Sequence, residues 1–421
     1  MKVIVIGAGL AGSATAYFLA QAGCEVVVVD RQQGAGLETS FANGGMITPS
    51  QADPWNRPGV LATLIGGLAG KNASIRVAAS ALPLLRDWGF AFLRNSTRAR
   101  YRNSLERNVR LAGFSLAQQR ELTAALSLDY GLANAGTMKI FGNAHVNPAA
   151  GEIGAWLAEC GVRFEMLDAE GVIAREPALA PVRNRIAGGI YYPDDASGDA
   201  HAFCRQILEQ AARAGARLRF GSPVRALLSG AGRIDGVRLD AETLHAQHVV
   251  LAAGSYSPRL AGQVGLRLPV RPIKGYSVTL PFQNWPGAPV VPIIDDDRHI
   301  AVTPLDGRLR VAGTAEFAGY DLHVDPRRIE SMIAFVLSVY PDFGSRLDRA
   351  RVNPWAGLRP YSCDGVPILG RTRVPGLYLN TGHGHLGWSM ALGSARLVAD
   401  QMLGRPCGIE LAPYALGRFG D

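Results

Sequence analysis

The chain begins with a strand, a glycine-rich turn and a helix within one short stretch. Residues 2–12 read Lys2-Val-Ile-Val-Ile-Gly7-Ala-Gly9-Leu-Ala-Gly12, and residues 23–30 read Gly23-Cys-Glu-Val-Val-Val-Val-Asp30. The two apolar, β-branched runs predict strands that are buried on both faces. Residues 13–22 lack proline and are rich in alanine, which predicts a helix that ends at Gly23.

Three glycines of this stretch, Gly7, Gly9 and Gly12, match the pattern G-x-G-x-x-G. In that pattern the first glycine makes a tight turn, the second lets the backbone approach a pyrophosphate, and the third lets the helix pack against the strand. Asp30 follows Gly12 by 18 residues, near the roughly 20 expected of the acid that binds a ribose hydroxyl. The sequence therefore predicts a dinucleotide site, and the carboxylate of Asp30 argues against NADP because it would repel a 2′-phosphate.

Composition limits the classes of protein to consider. A chain of 421 residues with 48% hydrophobic residues and 50 glycines is typical of an α/β enzyme with more than one domain or one large core. The net charge of +8 would suit a nucleic acid, an anionic membrane or an anionic substrate. Because the arginines are scattered, a solvated surface is favoured and nucleic-acid binding is not expected. Five cysteines without a C-x-x-C pair predict a reducing compartment and no zinc site, disulfide framework or other metal centre.

Two stretches of the chain differ in character from the first one. Residues 51–130 have helical apolar spacing, which predicts helices from about Gly59 to Ala125. Between residues 94 and 110 the sequence has six arginines and a single acidic residue. A helical layer that contacts a membrane surface through 59–110 and a helical cap with a solvated arginine face both remain open. Residues 269–350 alternate, which predicts an antiparallel sheet. No run approaches the roughly 18 apolar residues of a transmembrane helix.

The predicted fold class is α/β, with a Rossmann-like dinucleotide-binding domain and a second α+β domain that is built on the antiparallel sheet. Gly188–Asp195 is interpreted as a turn-rich stretch within the first domain. The predicted division assigns 1–50, 150–260 and 351–421 to the dinucleotide-binding domain, and 51–149 and 261–350 to the second domain with its helical insert.

Five motifs occur in the order in which one enzyme family has them. They are Gly7-x-Gly9-x-x-Gly12, Glu38-Thr39-Ser40-x-Ala42-Asn43, Lys274-Gly275-Tyr276-Ser277, Gly357-Leu358-Arg359-Pro360 with Asp364-Gly365-x-Pro367, and Asn380-Thr381-Gly382-His383-Gly384. With them the chain resembles, over essentially its whole length, the FAD-dependent amine-oxidising family of D-amino acid oxidase, glycine oxidase and sarcosine oxidase. Within that family it most resembles the small catalytic subunits of the bacterial D-amino acid dehydrogenases.

The resemblance implies an FAD that is bound noncovalently, because Cys363 does not fall where some sarcosine oxidases attach theirs. It implies that D-amino acids are oxidised to 2-oxo acids and ammonia, with hydride transfer from the substrate Cα to the flavin. It also implies a quinone or respiratory-chain acceptor and a cytoplasmic protein, with peripheral attachment to the inner face of the cytoplasmic membrane left open. Oxidation of a cyclic secondary amine such as D-proline or cis-4-hydroxy-D-proline, a glycine or sarcosine oxidase, and a noncatalytic flavin subunit remain alternatives.

Three residues are the catalytic candidates. The family's substrate-binding arginine matches Arg359, whose guanidinium fork would hold the substrate carboxylate. Tyr276 would hydrogen-bond the same carboxylate, or pack in the sheet. His383, like its neighbour His385, could serve as a base, although the family's glycine-rich loop acts mainly through its backbone.

The cofactor contacts implied by the resemblance are more numerous, and the last group would contact the flavin ring. They are Gly7, Ala8, Gly9, Leu10, Ala11 and Gly12; Asp30 and Arg31; Thr39, Ser40, Asn43, Gly44, Gly45 and Met46; Val224, Ala253, Gly254 and Gly357; and Gly382, His383, Gly384, His385, Leu386 and Gly387.

Overall fold

The stretch that opens the chain folds as a strand, a helix and a second strand, at Lys2–Ile6, Leu10–Gln21 and Glu25–Val29. The two strands pair in parallel, with Val5 opposite Val28, and both are buried almost throughout. The structure is a computed structural model, and it describes residues 1–68, 75–142, 148–230, 232–296 and 298–420.

The described residues form ten α-helices and twenty strands. The helices are α1 Leu10–Gln21, α2 Val60–Leu68, α3 Leu82–Arg94, α4 Arg98–Leu126, α5 Pro148–Glu159, α6 Ala169–Arg175, α7 Ala200–Arg213, α8 Ser257–Gly262, α9 Pro326–Val339 and α10 Gly387–Leu403. The strands are β1 Lys2–Ile6, β2 Glu25–Val29, β3 Met46–Ile47, β4 Ile75–Val77, β5 Thr137–Phe141, β6 Glu165–Asp168, β7 Gly188–Tyr192, β8 Ala196–Ser197, β9 Arg217–Arg219, β10 Ala226–Gly230, β11 Arg233–Arg238, β12 Thr243–His245, β13 His248–Leu251, β14 Val270–Pro281, β15 Ile293–Asp295, β16 Ile300–Leu305, β17 Arg308–Phe317, β18 Asn353–Ser362, β19 Ile368–Arg371 and β20 Leu377–Thr381.

The first sheet has the strand order β19-β20-β13-β1-β2-β9 and is parallel except for β19. Helices α1, α7 and α10 pack together on one face, where their apolar residues share one core with alternate residues of β1 and β2. The other face is covered by the small antiparallel sheet β10-β11-β12. Burial on both faces explains why the strands β1, β2 and β13 consist almost entirely of valine, isoleucine and leucine.

The second sheet has the order β18-β14-β17-β16-β15-β5-β7-β6, with β4 paired to β17. Most neighbours are antiparallel, as predicted, but β15 pairs with β5 in parallel and β17 pairs with β4 in parallel. Helix α9, which the alternating pattern of 269–350 does not reveal, packs its apolar side against β14 and β17. The predicted fold class, an α/β dinucleotide-binding part with a second α+β part, is confirmed.

Two parts of the predicted domain division differ from the sheet pairing. Strands β6 and β7 lie in the second sheet, whereas the division assigns 150–260 to the dinucleotide-binding domain. Strand β18 also lies in the second sheet, paired with β14, whereas the division assigns 351–421 to the dinucleotide-binding domain. Gly188 and Gly189 look like turn residues, but they permit close backbone approach, because a Cβ on either would lie 2.6 Å from a carbonyl oxygen of a neighbouring strand. Residues 188–192 are therefore a strand, and within the predicted turn-rich stretch only Pro193 and Asp194 form a turn.

The helical insert consists of α2, α3 and α4, with β4 between the first two. The helices predicted from about Gly59 to Ala125 are present, except that 69–74 lie outside the described residues. Within the described ranges, no helix combines the length and the apolar character that crossing a membrane would require.

Candidate active site

A cavity of about 1000 Å³ lies between the two sheets. One wall is formed by residues at the carboxyl ends of β1, β2 and β13, and the other by β14, β16, β17 and β18. In the first sheet, the chain runs from β1 to β2 on one side and to β13 on the other, so β1 lies where the strand order reverses. Ligands of open α/β sheets bind at this position.

The glycines of the turn after β1 have two different roles, internal packing and access for a ligand. A Cβ on Gly7 would lie 2.5 Å from the Ala252 oxygen, and one on Gly12 would lie 1.9 Å from the Gly7 oxygen, so internal packing requires both glycines. At Gly9 a Cβ would meet only Ser40 Oγ, at 3.2 Å. The space over Gly9 opens into the cavity, where a bound group can approach the backbone.

Several N–H groups at this turn face the cavity side of the sheet. Gly9 is the N-cap of α1, and its own N–H donates to no described residue. Ser40 Oγ accepts from the Leu10 N–H at 3.2 Å, so the hydroxyl of Ser40 supports the start of the helix. Unpaired N–H groups at a helix N-terminus form an anion site, which fits a pyrophosphate.

Asp30 directly follows β2 and holds the turn after β1. Its Oδ2 accepts from the Ala8 N–H at 2.6 Å, and its Oδ1 accepts from the Gln32 N–H at 2.8 Å. Burial raises the pKa of this carboxyl group, and the two backbone hydrogen bonds oppose that shift. Each carboxylate oxygen has a second lone pair, so Asp30 can also accept a ribose hydroxyl. The neighbouring Arg31 pairs with Glu38, and its guanidinium lies 3.8 Å from the centre of the Tyr256 ring.

Three buried polar atoms on the cavity wall lack a hydrogen-bond partner among the described residues: Asn380 Oδ1, His385 Nδ1 and Trp388 Nε1. Unpaired buried polar groups are costly, so their clustering in one cavity fits a polar occupant. Together with the open cradle over Gly9 and the acid at Asp30, these atoms fit FAD. No cysteine lines the described part of the cavity, and the described residues contain no cluster that could hold a metal.

Arg359 lies on β18 and faces the cavity. Its Nη1 donates to the Thr314 oxygen at 2.9 Å, and no described carboxylate lies within ion-pair distance. Gly275 on the neighbouring strand β14 leaves room for the guanidinium, since a Cβ there would lie 2.3 Å from it. Burial lowers the pKa of Arg359 to about 10, so the group stays charged at neutral pH. A buried guanidinium without an acid partner can bind the carboxylate of a ligand.

Tyr276 lines the cavity, but its hydroxyl donates to Glu316 Oε2 at 2.6 Å. Lys274 Nζ, which is buried, lies 3.4 Å from the same carboxylate oxygen and 2.8 Å from Asp321 Oδ2. Burial and the bond to Glu316 raise the pKa of Tyr276. Because its proton is held by Glu316, Tyr276 could meet a substrate only as an acceptor, which does not suit the predicted contact with a carboxylate.

The two histidines of the glycine-rich loop point to different partners. His383 Nε2 lies 3.0 Å from Ser394 Oγ, which itself donates to the Met390 oxygen, so His383 is the donor in this pair. His385 stacks against Trp55, with ring centres 4.9 Å apart, and its ring is nearly parallel to that of Tyr361 at 6.1 Å. Its Nε2 donates to the Gln51 oxygen at 3.4 Å. Burial lowers the pKa of each histidine to about 4, so both are neutral at physiological pH.

Most of the predicted site residues line this one cavity. The exceptions are Ala8, Gly12, Gly45 and Gly382, which shape the turns behind the wall. Residues that the sequence reasoning missed include Trp55, Asn380 and Trp388. Asn380 is the first residue of the glycine-rich motif and Trp388 follows it closely, which is a signal that could have found them, whereas nothing in the sequence around Trp55 points to the cavity.

Comparison with known proteins gives the same reading of the fold. A family model described as FAD dependent oxidoreductase, DAO, matches residues 2–401. The chain belongs to this family. Members of the family use FAD, so the FAD that the resemblance implied is confirmed as the dinucleotide predicted from the opening stretch.

Curated relatives and a solved structure resemble the chain over nearly its full length. A D-amino acid dehydrogenase of Paramagnetospirillum magneticum is 44% identical over 420 residues, covering 100% of this chain and 99% of the relative. A D-amino acid dehydrogenase of Cereibacter sphaeroides is 43% identical over 423 residues, covering 100% and 95%. The glycine oxidase of Geobacillus kaustophilus has the same fold, with a TM-score of 0.77 at 23% identity, covering 99% of this chain and 98% of that structure.

Proposed function

We propose that this protein is an FAD-dependent D-amino acid dehydrogenase that converts D-amino acids to 2-oxo acids and ammonia. The observation that carries the proposal is the guanidinium of Arg359, a partly buried cation on the cavity wall with no acid partner among the described residues. The relatives at 43–44% identity, both named D-amino acid dehydrogenase, support the substrate class.

FAD, when bound, accepts the hydride from the substrate Cα. The protein contributes orientation, and Arg359 would fix the substrate by holding its carboxylate in a bidentate contact. Ala312, Gly313 and Ala315 of β17 lie on the same wall and leave space for a side chain. The two neutral histidines add no positive charge near the substrate amine. In this proposal the substrate carboxylate is paired with the charge of Arg359, whereas no charged histidine lies near the substrate amine. The contact with Arg359 therefore orients the substrate Cα toward the cofactor.

The cofactor would lie along the first wall. We propose that the turn 7–12 binds the pyrophosphate, that Asp30 binds a ribose hydroxyl, and that the segments 39–46 and 382–387 bind the flavin end. Support comes from the open space over Gly9 and from the unpaired polar atoms of Asn380, His385 and Trp388. The absence of a cysteine from the described lining supports noncovalent binding.

An anaerobic titration tests the activity. The flavin absorbance is followed while D-alanine, L-alanine, D-proline, cis-4-hydroxy-D-proline and sarcosine are added separately. Bleaching by D-alanine but not by L-alanine supports the proposal. Bleaching by the cyclic D-imino acids alone would assign the enzyme to secondary amines, and bleaching by sarcosine with release of hydrogen peroxide in air would make it an oxidase.

We further propose that the electrons pass to a membrane quinone, and that the helical insert contacts the membrane. Five of the nine large hydrophobic residues that are most exposed in the described chain lie on α2 and α3: Leu61, Ile65, Leu82, Phe90 and Leu93. Phe90 is the most exposed of them, at 73%. Arginines 86, 94, 98 and 100 accompany this surface. Exposed apolar residues beside cations suit an anionic lipid surface.

Vesicle flotation tests the membrane contact at low and at high salt. Phe90→Ser is expected to weaken binding to phosphatidylglycerol vesicles about tenfold, because one buried aromatic side chain contributes about 1.5–3 kcal/mol. Val290→Ser is the matched control, because Val290 is 65% exposed but lies away from the insert. Failure of the wild-type protein to float with anionic vesicles would exclude the membrane contact and leave the oxidation of amino acids untouched.

A further inference from the structure

The loop after β2 is held by an unusual set of hydrogen bonds. Four consecutive carbonyl oxygens, those of residues 42–45, each accept from elsewhere in the chain. The pairs are Ser277 Oγ to the Ala42 oxygen at 2.6 Å, Arg310 Nη1 to the Asn43 oxygen at 2.9 Å, Thr303 Oγ1 to the Gly44 oxygen at 2.6 Å, and the Gly198 N–H to the Gly45 oxygen at 2.8 Å. Three of the four donors are side chains of the second sheet, and we call these three the carbonyl clamp.

The carbonyl clamp occupies one face of the second sheet. Thr303 lies directly opposite Arg310 on the neighbouring strand, and Ser277 lies opposite Ala312, two residues further along. Residues two apart on a strand share a face, so the three donors point the same way. Ala312 lies beneath the loop, with its Cβ 3.8 Å from the position that a Cβ on Gly44 would take. The sheet therefore presents a surface of hydroxyl and guanidinium donors to the loop.

The N–H groups of the same loop are left for a ligand. Across a planar trans peptide, a carbonyl and the next N–H point in opposite directions. Because the oxygens of Ala42 and Asn43 face the sheet, the N–H groups of Asn43 and Gly44 face away from it. Both residues line the cavity, and neither N–H donates to a described residue. The Gly45 N–H donates to Asn43 Oδ1 at 3.0 Å, so this N–H is not left for a ligand. The same bond holds the Asn43 side chain against its own loop.

We propose that the carbonyl clamp is a positioning device that presents the N–H groups of Asn43 and Gly44 to the electron-accepting end of the FAD and so raises its reduction potential. This inference rests on the proposed placement of the flavin against 39–46. Ser277, Thr303 and Arg310 touch neither cofactor nor substrate in this proposal, because they act through the loop.

The physical reason is the charge that the cofactor gains on reduction. Fixed N–H dipoles stabilise a group that becomes more negative, and dipoles that need no reorganisation do so most effectively. Arg310 adds a positive charge behind the loop, because it has no ion-pair partner among the described residues: the nearby Asp199 pairs with Arg308. Burial lowers the pKa of Arg310 to about 10, which leaves it charged at neutral pH.

The test is the midpoint potential of the flavin in the FAD-loaded protein, measured by dye equilibration during chemical reduction without an amino acid. Ser277→Ala and Thr303→Val each remove one donor and are expected to lower the equilibrium constant for two-electron reduction about tenfold, which is a shift of about 30 mV to more negative potential. Thr303→Ser keeps the hydroxyl and is expected to have the same midpoint potential as the wild type. Flavin reduction at saturating substrate is expected to be slower in the two donor-less variants, with KM unchanged.

Ser338→Ala is the matched control, because Ser338 also donates to a backbone carbonyl, that of Phe335, but lies on α9 outside the cavity lining. Unchanged potentials in both Ser277→Ala and Thr303→Val, with a lower melting temperature, would overturn the proposal and make the clamp purely structural. If Thr303→Val does not retain FAD, Ser277→Ala decides alone. Since no amino acid is present, a failure of the proposed activity leaves this measurement valid.

Discussion

The two walls of the cavity are built in different ways. The wall on the first sheet is centred on one segment, from Gly7 to Asp30, which acts through backbone N–H groups and glycines, and residues after β13 complete it. The wall on the second sheet is made of side chains from distant segments, such as Tyr276 and Arg359, each with its own partner elsewhere. A backbone wall leaves a continuous motif in the sequence, whereas a side-chain wall exists only after the strands have paired.

The same difference separates the consequences of mutation. On the backbone wall, a side chain that replaces Gly7 or Gly12 meets main-chain atoms, which cannot move away. On the side-chain wall, a substitution removes one function and leaves the backbone in place. The predictions below test this contrast, beginning with the largest effect.

The largest effect is expected for Gly12→Ala. The added Cβ would lie 1.9 Å from the Gly7 oxygen, so α1 would have to move away from β1. We expect a loss of folding free energy of about 4 kcal/mol or more, seen as little or no folded, FAD-loaded protein by thermal unfolding.

Gly9→Ala is the matched control for this change. Its Cβ would meet only Ser40 Oγ at 3.2 Å, so the fold is expected to persist. The methyl group would occupy the space proposed for the pyrophosphate, and FAD affinity is expected to fall about 100-fold, or about 3 kcal/mol, by fluorescence titration. Equal FAD affinity in Gly9→Ala and the wild type would contradict the idea of a backbone wall that binds the cofactor.

On the opposite wall, Arg359→Met is expected to leave the fold and the FAD content unchanged. Loss of the carboxylate anchor should lower kcat/KM for a D-amino acid about 100- to 1000-fold, because truncating one member of a buried charge pair costs about 3–4 kcal/mol. Arg359→Lys should recover only part of the loss, since an ammonium cannot make a bidentate contact. Stopped-flow measurement of flavin reduction checks both variants. If Arg359→Met reacts with the D-amino acid nearly as well as the wild type, Arg359 does not bind the substrate carboxylate.

A third prediction concerns the buried Asp195, which accepts from Ser50 Oγ at 2.5 Å and from Thr137 Oγ1 at 2.6 Å and so connects the segment after β3 to strand β5. Burial raises the pKa of Asp195 to about 6. Because the folded pKa lies above the usual value near 4, this group contributes stability that is complete below about pH 4 and is lost as pH rises through 6, at most about 3 kcal/mol.

Asp195→Asn removes that titration. Relative to the wild type, the variant is therefore expected to gain stability between pH 4 and pH 7, by denaturant unfolding at several pH values. If the difference in the free energy of unfolding between Asp195→Asn and the wild type does not change with pH, the pKa of Asp195 is not raised in the folded protein.

The smallest effect is expected for His383→Asn. Burial lowers the pKa of His383 to about 4, which makes its ring a weak base at neutral pH, so we expect no proton transfer to depend on it. Flavin reduction should slow by about threefold or less, under 1 kcal/mol, with the same pH profile above pH 5. The disappearance of a limb of that profile in the variant would instead identify His383 as a base.

These residues show which part of the molecule the sequence can predict. The spacing of Gly7, Gly9 and Gly12 predicts β1, α1 and β2 because strand, turn and helix are local structures. The role of Tyr276 is not local: its hydroxyl is held by Glu316, 40 residues away, on the neighbouring strand. The sequence pattern did not predict strand β7 for a related reason. Glycines that permit close sheet pairing cannot be told from glycines that form turns by sequence alone.

The carbonyl clamp lies furthest from what a sequence reveals. Ser277, Thr303 and Arg310 are ordinary residues of alternating strands, and only the register of three strands brings them to one face. In contrast, the orientation of Arg359 toward the cavity agrees with the motif-based expectation, although its binding of a substrate stays a prediction. Motifs of several residues thus locate a wall, while the pairing of strands decides what each side chain does.

The strand order of the first sheet has a consequence for how the protein is made. The first strand, β1, pairs with β13, and β13 pairs in turn with β20, which begins at Leu377. During synthesis the glycine turn thus leaves the ribosome long before the strands that must flank it. The dinucleotide site can be assembled only when translation is almost complete, and until then the apolar β1 and β2 rely on each other or on a chaperone.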